Sequence, residues 1–135
     1  MLSPMRMLLL IALLGLDMCD RDETVAGYGA ADKVWQLTAL DGAPFAATAT
    51  ATLSFPEPGQ IAGEAPCNRY SGTMTTPYPW FDAGQVISTR RACPDLEAED
   101  AFLGALSAMT EAEVTGDTLI LRNGAGREML FRAAE

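Results

Sequence analysis

The chain has 135 residues, a length that favours a single domain, and a formal net charge of −9. It has one lysine, Lys33, and no basic run, which excludes the clustered positive charge that nucleic-acid binding needs. It has no histidine, and its three cysteines have no C-x-x-C spacing, which excludes an imidazole base, a His-ligated metal and a self-sufficient zinc site.

Residues 1–18 have the pattern of an export signal. A positive charge at Arg6 precedes an apolar run over 7–16, which is too short to span a bilayer as a permanent helix. The run leads into a segment that resembles a bacterial lipobox and ends at Cys19, although Met18 stands where a small residue is usual. We therefore expect an exported protein of the bacterial cell envelope, anchored to a membrane by lipid at Cys19 or periplasmic. Secretion without lipid and an uncleaved anchor are the alternatives.

Residues 19–32 are polar, contain glycine and have no periodicity, which predicts a flexible tether. The folded domain is predicted to occupy 33–135. Its first half alternates apolar and polar residues over short stretches that end at turn residues, a pattern typical of strands. The predicted strands of this half cover 34–40, 52–55, 60–63, 68–75 and 85–89, and 46–52 is either a strand or a loop.

One amphipathic helix is predicted over 95–110. Asp95 is a suitable N-cap, and apolar side chains recur at helical spacing through Phe102, Leu106 and Met109. The chain then returns to the strand pattern, with a Gly116-Asp117 turn inside a hairpin. The predicted strands of this second half cover 113–115, 118–122 and 127–132.

Two dense motifs stand out within the predicted domain. The first is Cys67-Asn68-Arg69-Tyr70-Ser71-Gly72, with Gly63 four residues before its cysteine, and the second is Thr89-Arg90-Arg91-Ala92-Cys93. Together, and with the acidic helix that follows, they resemble the motifs of the META domain family, which includes the HslJ-like heat-shock lipoproteins. The resemblance covers about 35–131.

The resemblance implies an α+β fold, in which an antiparallel, partly open β-barrel-like sheet packs around one amphipathic helix. The predicted order of many short strands, one helix and a final hairpin fits the same architecture. No reaction is established for the family, so the resemblance implies no catalytic residue, no cofactor and no metal ligand. Nothing in the sequence looks like a complete active site.

The resemblance also brings Cys67 and Cys93 together. An exported chain permits a disulfide, and one pair of cysteines remains if Cys19 carries lipid. Such a bond would close a loop of about 25 residues and stabilise the fold by roughly 3 kcal/mol on the chain-entropy model. Two buried, reduced cysteines are the alternative. A catalytic thiol is disfavoured because the chain has no histidine to activate one.

The family-motif residues around the first cysteine have structural interpretations. Asn68 suits a turn into a strand, because asparagine tolerates left-handed backbone and bonds its own main chain. Arg69 is expected to pair with an acid such as Glu64 rather than with a ligand. Gly72 lies on one strand face with Tyr70, where a missing side chain lets a neighbouring element approach closely.

Thr89, Arg90 and Arg91 form a compact positive feature in an acidic chain. They are expected to neutralise local acids, with binding of an external anion as the less favoured hypothesis.

Two further groups invite a functional hypothesis. The aromatic loop residues Tyr78, Trp80 and Phe81 are expected to close one end of the barrel, or else to offer an exposed surface to a partner, a glycan or a membrane. The acids at the start of the helix have no calcium-loop spacing, so favourable helix-dipole electrostatics is preferred to metal binding. These acids are Glu97, Glu99 and Asp100.

Three functions remain open from the sequence. The first is a non-enzymatic envelope protein, a membrane-tethered domain that acts as a binding or accessory module for another envelope protein; a role in envelope stress is implied by the resemblance alone. The second is a carrier of a small apolar ligand in a barrel groove beside the helix. The third, an enzyme, would have to work with carboxylates, Tyr or Cys alone, and we expect none.

Overall fold

The computed structural model describes residues 21–45 and 49–134. Cys19, the predicted export signal and residues 46–48 lie outside this part of the chain. The described residues form one 3-10 helix (Val25–Tyr28), one α-helix (α1, Leu96–Ala108) and nine β-strands. The strands are β1 Val34–Leu40, β2 Ala43–Pro44, β3 Thr52–Ser54, β4 Gln60–Glu64, β5 Arg69–Thr73, β6 Ile87–Ser88, β7 Glu111–Thr115, β8 Thr118–Arg122 and β9 Glu128–Ala133.

All nine strands belong to one antiparallel sheet. Its order is β6-β5-β4-β3-β1-β9-β8-β7, and β2 pairs with β1 outside this path. The sheet is not closed, because β6 and β7 are its two edges. The chain between β5 and β6 reaches the far edge, where Trp80 forms an isolated bridge with Glu111 of β7. The α+β architecture with a partly open sheet and a single helix is therefore confirmed.

The core lies between the sheet and α1. Buried side chains alternate with less buried ones along β8, over the first half of β1 and over the first four residues of β9, because successive side chains of a strand point to opposite faces. The helix contributes Phe102, Ala105 and Leu106, all fully buried. The Phe102 ring packs edge-on against the Tyr70 ring of β5, with 5.6 Å between the ring centroids. The helix is thus held against the sheet by its predicted apolar stripe.

The helix boundaries differ slightly from the prediction. The first helical residue is Leu96, so Asp95 occupies the N-cap position, but its side chain makes no capping hydrogen bond. The last is Ala108, because Met109 adopts an extended conformation and leads directly into β7. No helix in residues 21–45 and 49–134 is long and apolar enough to cross a membrane.

The prediction that residues 19–32 form a flexible tether is wrong from Asp22 onward, because this part of the segment packs against the folded domain. Val25 and Ala30 are fully buried around the 3-10 helix. The Trp35 indole donates a hydrogen bond to the Ala30 carbonyl at 2.9 Å, and the backbone amide of Tyr78 donates one to the Glu23 carbonyl at 2.7 Å. Small residues gave this segment no apolar period, so the sequence did not reveal that it packs against the sheet.

Because one face of α1 is buried, a leucine-to-alanine substitution should lower the free energy of unfolding more on that face than on the exposed face. Leu106→Ala removes a fully buried side chain and should lower the free energy of unfolding by about 2–5 kcal/mol. Leu96→Ala, at a position that is 40% exposed, should cost less than about 1 kcal/mol. Urea denaturation followed by circular dichroism measures both values. Equal midpoints for the two variants would show that the helix does not contribute to the core.

Candidate functional site

The two sequence motifs meet at a disulfide. Cys67 and Cys93 are bonded, and their Cα atoms are 5.6 Å apart, within the range that an unstrained backbone permits. Cys67 lies between β4 and β5, and Cys93 lies three residues before α1. The bond therefore joins the connection between β4 and β5, close to the β6 edge of the sheet, to the start of the helix, and the pairing is the one that the family resemblance implied.

A buried carboxylate lies beside the disulfide. Glu99, in the first turns of α1, is only 3% exposed. Its Oε1 accepts hydrogen bonds from the backbone amides of Cys67 and Asn68, at 3.0 and 2.8 Å. Its Oε2 accepts one from the Asn68 side-chain amide at 2.6 Å. Helix-dipole electrostatics alone does not explain this residue, because its carboxylate holds the first motif against the helix.

The Asn68 side chain completes the connection between the motifs. Its oxygen accepts hydrogen bonds from the Thr89 hydroxyl at 2.9 Å and from the Arg91 amide at 2.6 Å. Its nitrogen donates to the Arg91 carbonyl at 2.9 Å, in addition to Glu99. These four bonds use the full capacity of an asparagine side chain. The predicted role in a left-handed turn is wrong, because Asn68 has no positive φ and bonds a distant segment instead of its own main chain.

The spacing of apolar residues along the helix carries a signal for the burial of Glu99. Phe102 and Leu106 lie three and seven residues after it, and both face the core. These spacings place Glu99 on the same face of the helix. An acid on an apolar face needs hydrogen-bond donors from elsewhere, and the motif around Asn68 supplies them.

Tyr70 and Gly63 support the same region from within the sheet. The Tyr70 hydroxyl donates a hydrogen bond to the Thr52 carbonyl of β3. Burial raises the pKa of Tyr70, so the phenol stays protonated and remains a donor. A Cβ atom at Gly63 would overlap the Thr52 carbonyl and lie 2.7 Å from the Tyr70 oxygen, so only glycine fits there. At Gly72 the same atom would lie 3.2 Å from a Val86 methyl group, a closer approach than most side chains tolerate.

Three arginines line an open groove next to the hydrogen-bonded side chains of Asn68 and Glu99. Arg69, Arg90 and Arg91 are exposed and line a concavity of about 730 Å³, together with the surface of Asn68 and one acid, Glu64. We call this concavity the arginine groove. Its arginines exceed its acid by two charges, in a chain whose net charge is −9.

The arginines of the groove differ in their acid partners. Arg69 lies 3.9 Å from the Glu64 carboxylate as predicted, but both side chains are largely exposed, so the pair contributes little stability. Within residues 21–45 and 49–134, no carboxylate lies within 4.0 Å of the Arg90 or Arg91 guanidinium. Among the described residues, these two arginines therefore do not neutralise a neighbouring acid as expected.

The other candidate residues separate into buried and exposed groups. Phe81 is buried, whereas Trp80 is 54% exposed. Tyr78 is half-buried. The described part of the chain contains no cluster of three or more side chains of the types that bind metals.

The buried carboxylate predicts a contrast between two neighbouring acids. In Glu99→Gln, an amide group can replace Oε2 and face the Asn68 amide, so that two donors oppose each other. We expect the free energy of unfolding to fall by about 1.5–3 kcal/mol. Glu97→Gln, at an exposed position two residues earlier and on another face of the helix, should change it by less than about 0.5 kcal/mol. Chemical denaturation of both variants checks this, and a Glu99→Gln protein as stable as wild type would contradict the role given to this carboxylate.

Solved structures of other proteins have a similar fold. Among solved structures, a protein from Burkholderia xenovorans matches with a TM-score of 0.63 and 25% identity, over 78% of this chain and 83% of that one. Another solution structure matches with a TM-score of 0.58 and 21% identity, over 74% of this chain and 87% of that one. A DUF4847 family protein from Bacteroides vulgatus has a TM-score of 0.60 at 12% identity, over 80% of this chain and 96% of that one, a likeness of fold alone.

No curated protein matches the chain. The model of the META domain matches residues 29–135, which include both cysteine motifs, the buried Glu99 and the arginine groove. The chain belongs to the META domain family.

Proposed function

We propose that this protein is a non-enzymatic binding module of the bacterial cell envelope, exported and tethered to a membrane by lipid at Cys19. The arginine groove is its recognition surface. One observation carries this proposal: the buried polar groups of the two motifs bond to each other, while the arginines of the same motifs project outward. The role in envelope stress that the family resemblance implies remains part of the proposal.

The groove has a rigid base. The disulfide fixes Cys67 to Cys93, and the Glu99 carboxylate fixes the backbone of Cys67 and Asn68. Asn68 in turn fixes Arg91 through both its amide and its carbonyl. A surface that is already ordered loses less conformational entropy when a partner binds.

The groove favours a partner with negatively charged oxygen atoms. A guanidinium group presents a planar set of donors that matches a carboxylate or a phosphate, often through two parallel hydrogen bonds. A volume of about 730 Å³ lies within the usual range for ligand sites. Of an envelope protein and a small apolar ligand, the envelope protein fits this surface better, and the positive charge of the groove favours an acidic segment of that partner.

The alternative, a carrier of a small apolar ligand, has less support. The helix residues that face the sheet, Phe102, Ala105 and Leu106, are fully buried. A groove of about 550 Å³ does lie beside the helix, but Asp100 and Ser107 line it along with apolar side chains. The lining is therefore mixed, which suits an apolar ligand poorly.

The arginine groove predicts where a partner can be cross-linked in living cells. A photoreactive amino acid at Ala92, exposed beside Arg91, should form an adduct with an envelope component. The same substitution at Ala125, exposed in the turn before β9, should not. With the probe at Ala92, Arg90→Glu should remove the adduct, because it reverses a groove charge.

The control for this experiment is Arg132→Glu, which makes the same charge change at an exposed position of β9 outside the groove. It should leave the Ala92 adduct unchanged. An adduct that persists in Arg90→Glu, or no adduct from Ala92 under conditions in which the protein is present in the envelope, would contradict the proposed recognition surface.

The lipid tether predicts the behaviour of Cys19→Ser. Two or more acyl chains hold a protein stably on a membrane, whereas one holds it only marginally. The wild-type protein should therefore partition into the detergent phase and carry the mass of its acyl chains, and Cys19→Ser should lose both properties. Intact mass spectrometry and detergent phase separation measure this. A Cys19→Ser protein that is still cleaved and still partitions into detergent would contradict the tether.

A further inference from the structure

Three aromatic residues are distributed along the β7 edge of the sheet, two of them as a stacked pair. Tyr28 is 56% exposed and stacks on Tyr78 with 4.7 Å between the ring centroids. Trp80 is 54% exposed, two residues after Tyr78, and pairs with Glu111 of β7 through the isolated bridge. We call Tyr28, Tyr78 and Trp80 the aromatic ridge. The exposed faces of these three side chains belong neither to the core nor to the arginine groove.

The ridge lies next to the point where the chain enters the folded domain. The Tyr78 amide donates a hydrogen bond to the carbonyl of Glu23 at 2.7 Å, which fixes Glu23 beside the ridge. Cys19 precedes Glu23 by four residues. An extended chain advances at most about 3.6 Å per residue, so the two Cα atoms lie within about 14 Å of each other in any conformation. A lipid on Cys19 would therefore hold the ridge close to the membrane surface.

We propose that the aromatic ridge sits in the headgroup region of a zwitterionic phospholipid membrane and fixes the orientation of the tethered domain. This proposal rests on the lipid tether proposed above. Tyrosine and tryptophan suit this region because each has an apolar ring and a polar group that hydrogen-bonds to water or headgroups. A net charge of −9 opposes anionic lipids, so the partner is the neutral interface.

This orientation turns the arginine groove away from the membrane. Trp80 of the ridge is near the carboxyl end of α1, because the amide of the next residue, Phe81, donates a hydrogen bond to the Thr110 carbonyl, two residues after the helix. The groove is at the amino end, where Glu99 bonds Asn68. A helix of 13 residues is about 20 Å long, and it separates the two surfaces. The membrane contact would thus present the groove to partners in solution.

Tryptophan fluorescence tests the contact directly. The chain has two tryptophans, Trp80 in the ridge and Trp35, which is fully buried. The full chain is expressed in cells, extracted from the membrane and reconstituted in phosphatidylcholine vesicles with plain or brominated acyl chains. Bromine quenches only nearby indoles, so brominated vesicles should lower the emission of the wild-type protein. Trp80→Phe, at an exposed position, should fold normally and lose this quenching while it keeps the Trp35 emission.

Two measurements separate this proposal from the tether on which it rests. The intact mass of the extracted protein shows first whether Cys19 carries acyl chains, and their absence would overturn the tether. In that case a maleimide lipid is coupled to Cys19, because maleimide does not react with the bonded Cys67 and Cys93, and the vesicle measurement is repeated. Equal Trp80 emission in plain and brominated vesicles, for protein that floats with them, would overturn the ridge contact and favour a protein or glycan at this surface.

Discussion

The fold of this domain depends on one buried carboxylate and the asparagine beside it. An ionised carboxylate that leaves water is costly unless hydrogen-bond donors replace its hydration. Glu99 obtains three donors, the amides of Cys67 and Asn68 and the side chain of Asn68. The donors come from the sheet and the acceptor from the helix, so neither element can move without exposing an unsatisfied group. The disulfide beside them adds a covalent link between the same two elements.

This arrangement explains why one short motif contains both buried and exposed polar residues. Asn68 uses all of its hydrogen-bonding capacity inside the domain, and its partners include the backbone of Arg91. The arginine side chains are then left to point into solvent from a fixed backbone. Arg90 and Arg91 have no carboxylate within ion-pair distance among the described residues, although the chain has twice as many acidic as basic residues. Positive charge placed in this way suits recognition of a partner better than stabilisation of the domain.

The sequence predicted the parts of the fold that have a clear period. The alternation around Trp35 and the helical spacing of Phe102 and Leu106 identified strands and a helix, because burial on one face imposes that period. The packed segment around Val25 and Ala30 was missed, because small residues around glycine give no period. Pairing of the two cysteine motifs followed from the family resemblance. The hydrogen bonds of Glu99 were not predicted, because the sequence alone does not show which distant donors meet an acid in the folded chain.

Amide hydrogen exchange at Cys67, Asn68 and Arg91 tests the importance of this buried network most directly. These three amides donate to side chains, Glu99 or Asn68, rather than to a strand partner. If the network holds the two motifs together, the three amides should exchange only through global unfolding, as slowly as the amides of the central strand β1. Exchange at the rate of an open loop, in a protein whose β1 amides remain protected, would show that the motifs are not held by Glu99 and Asn68.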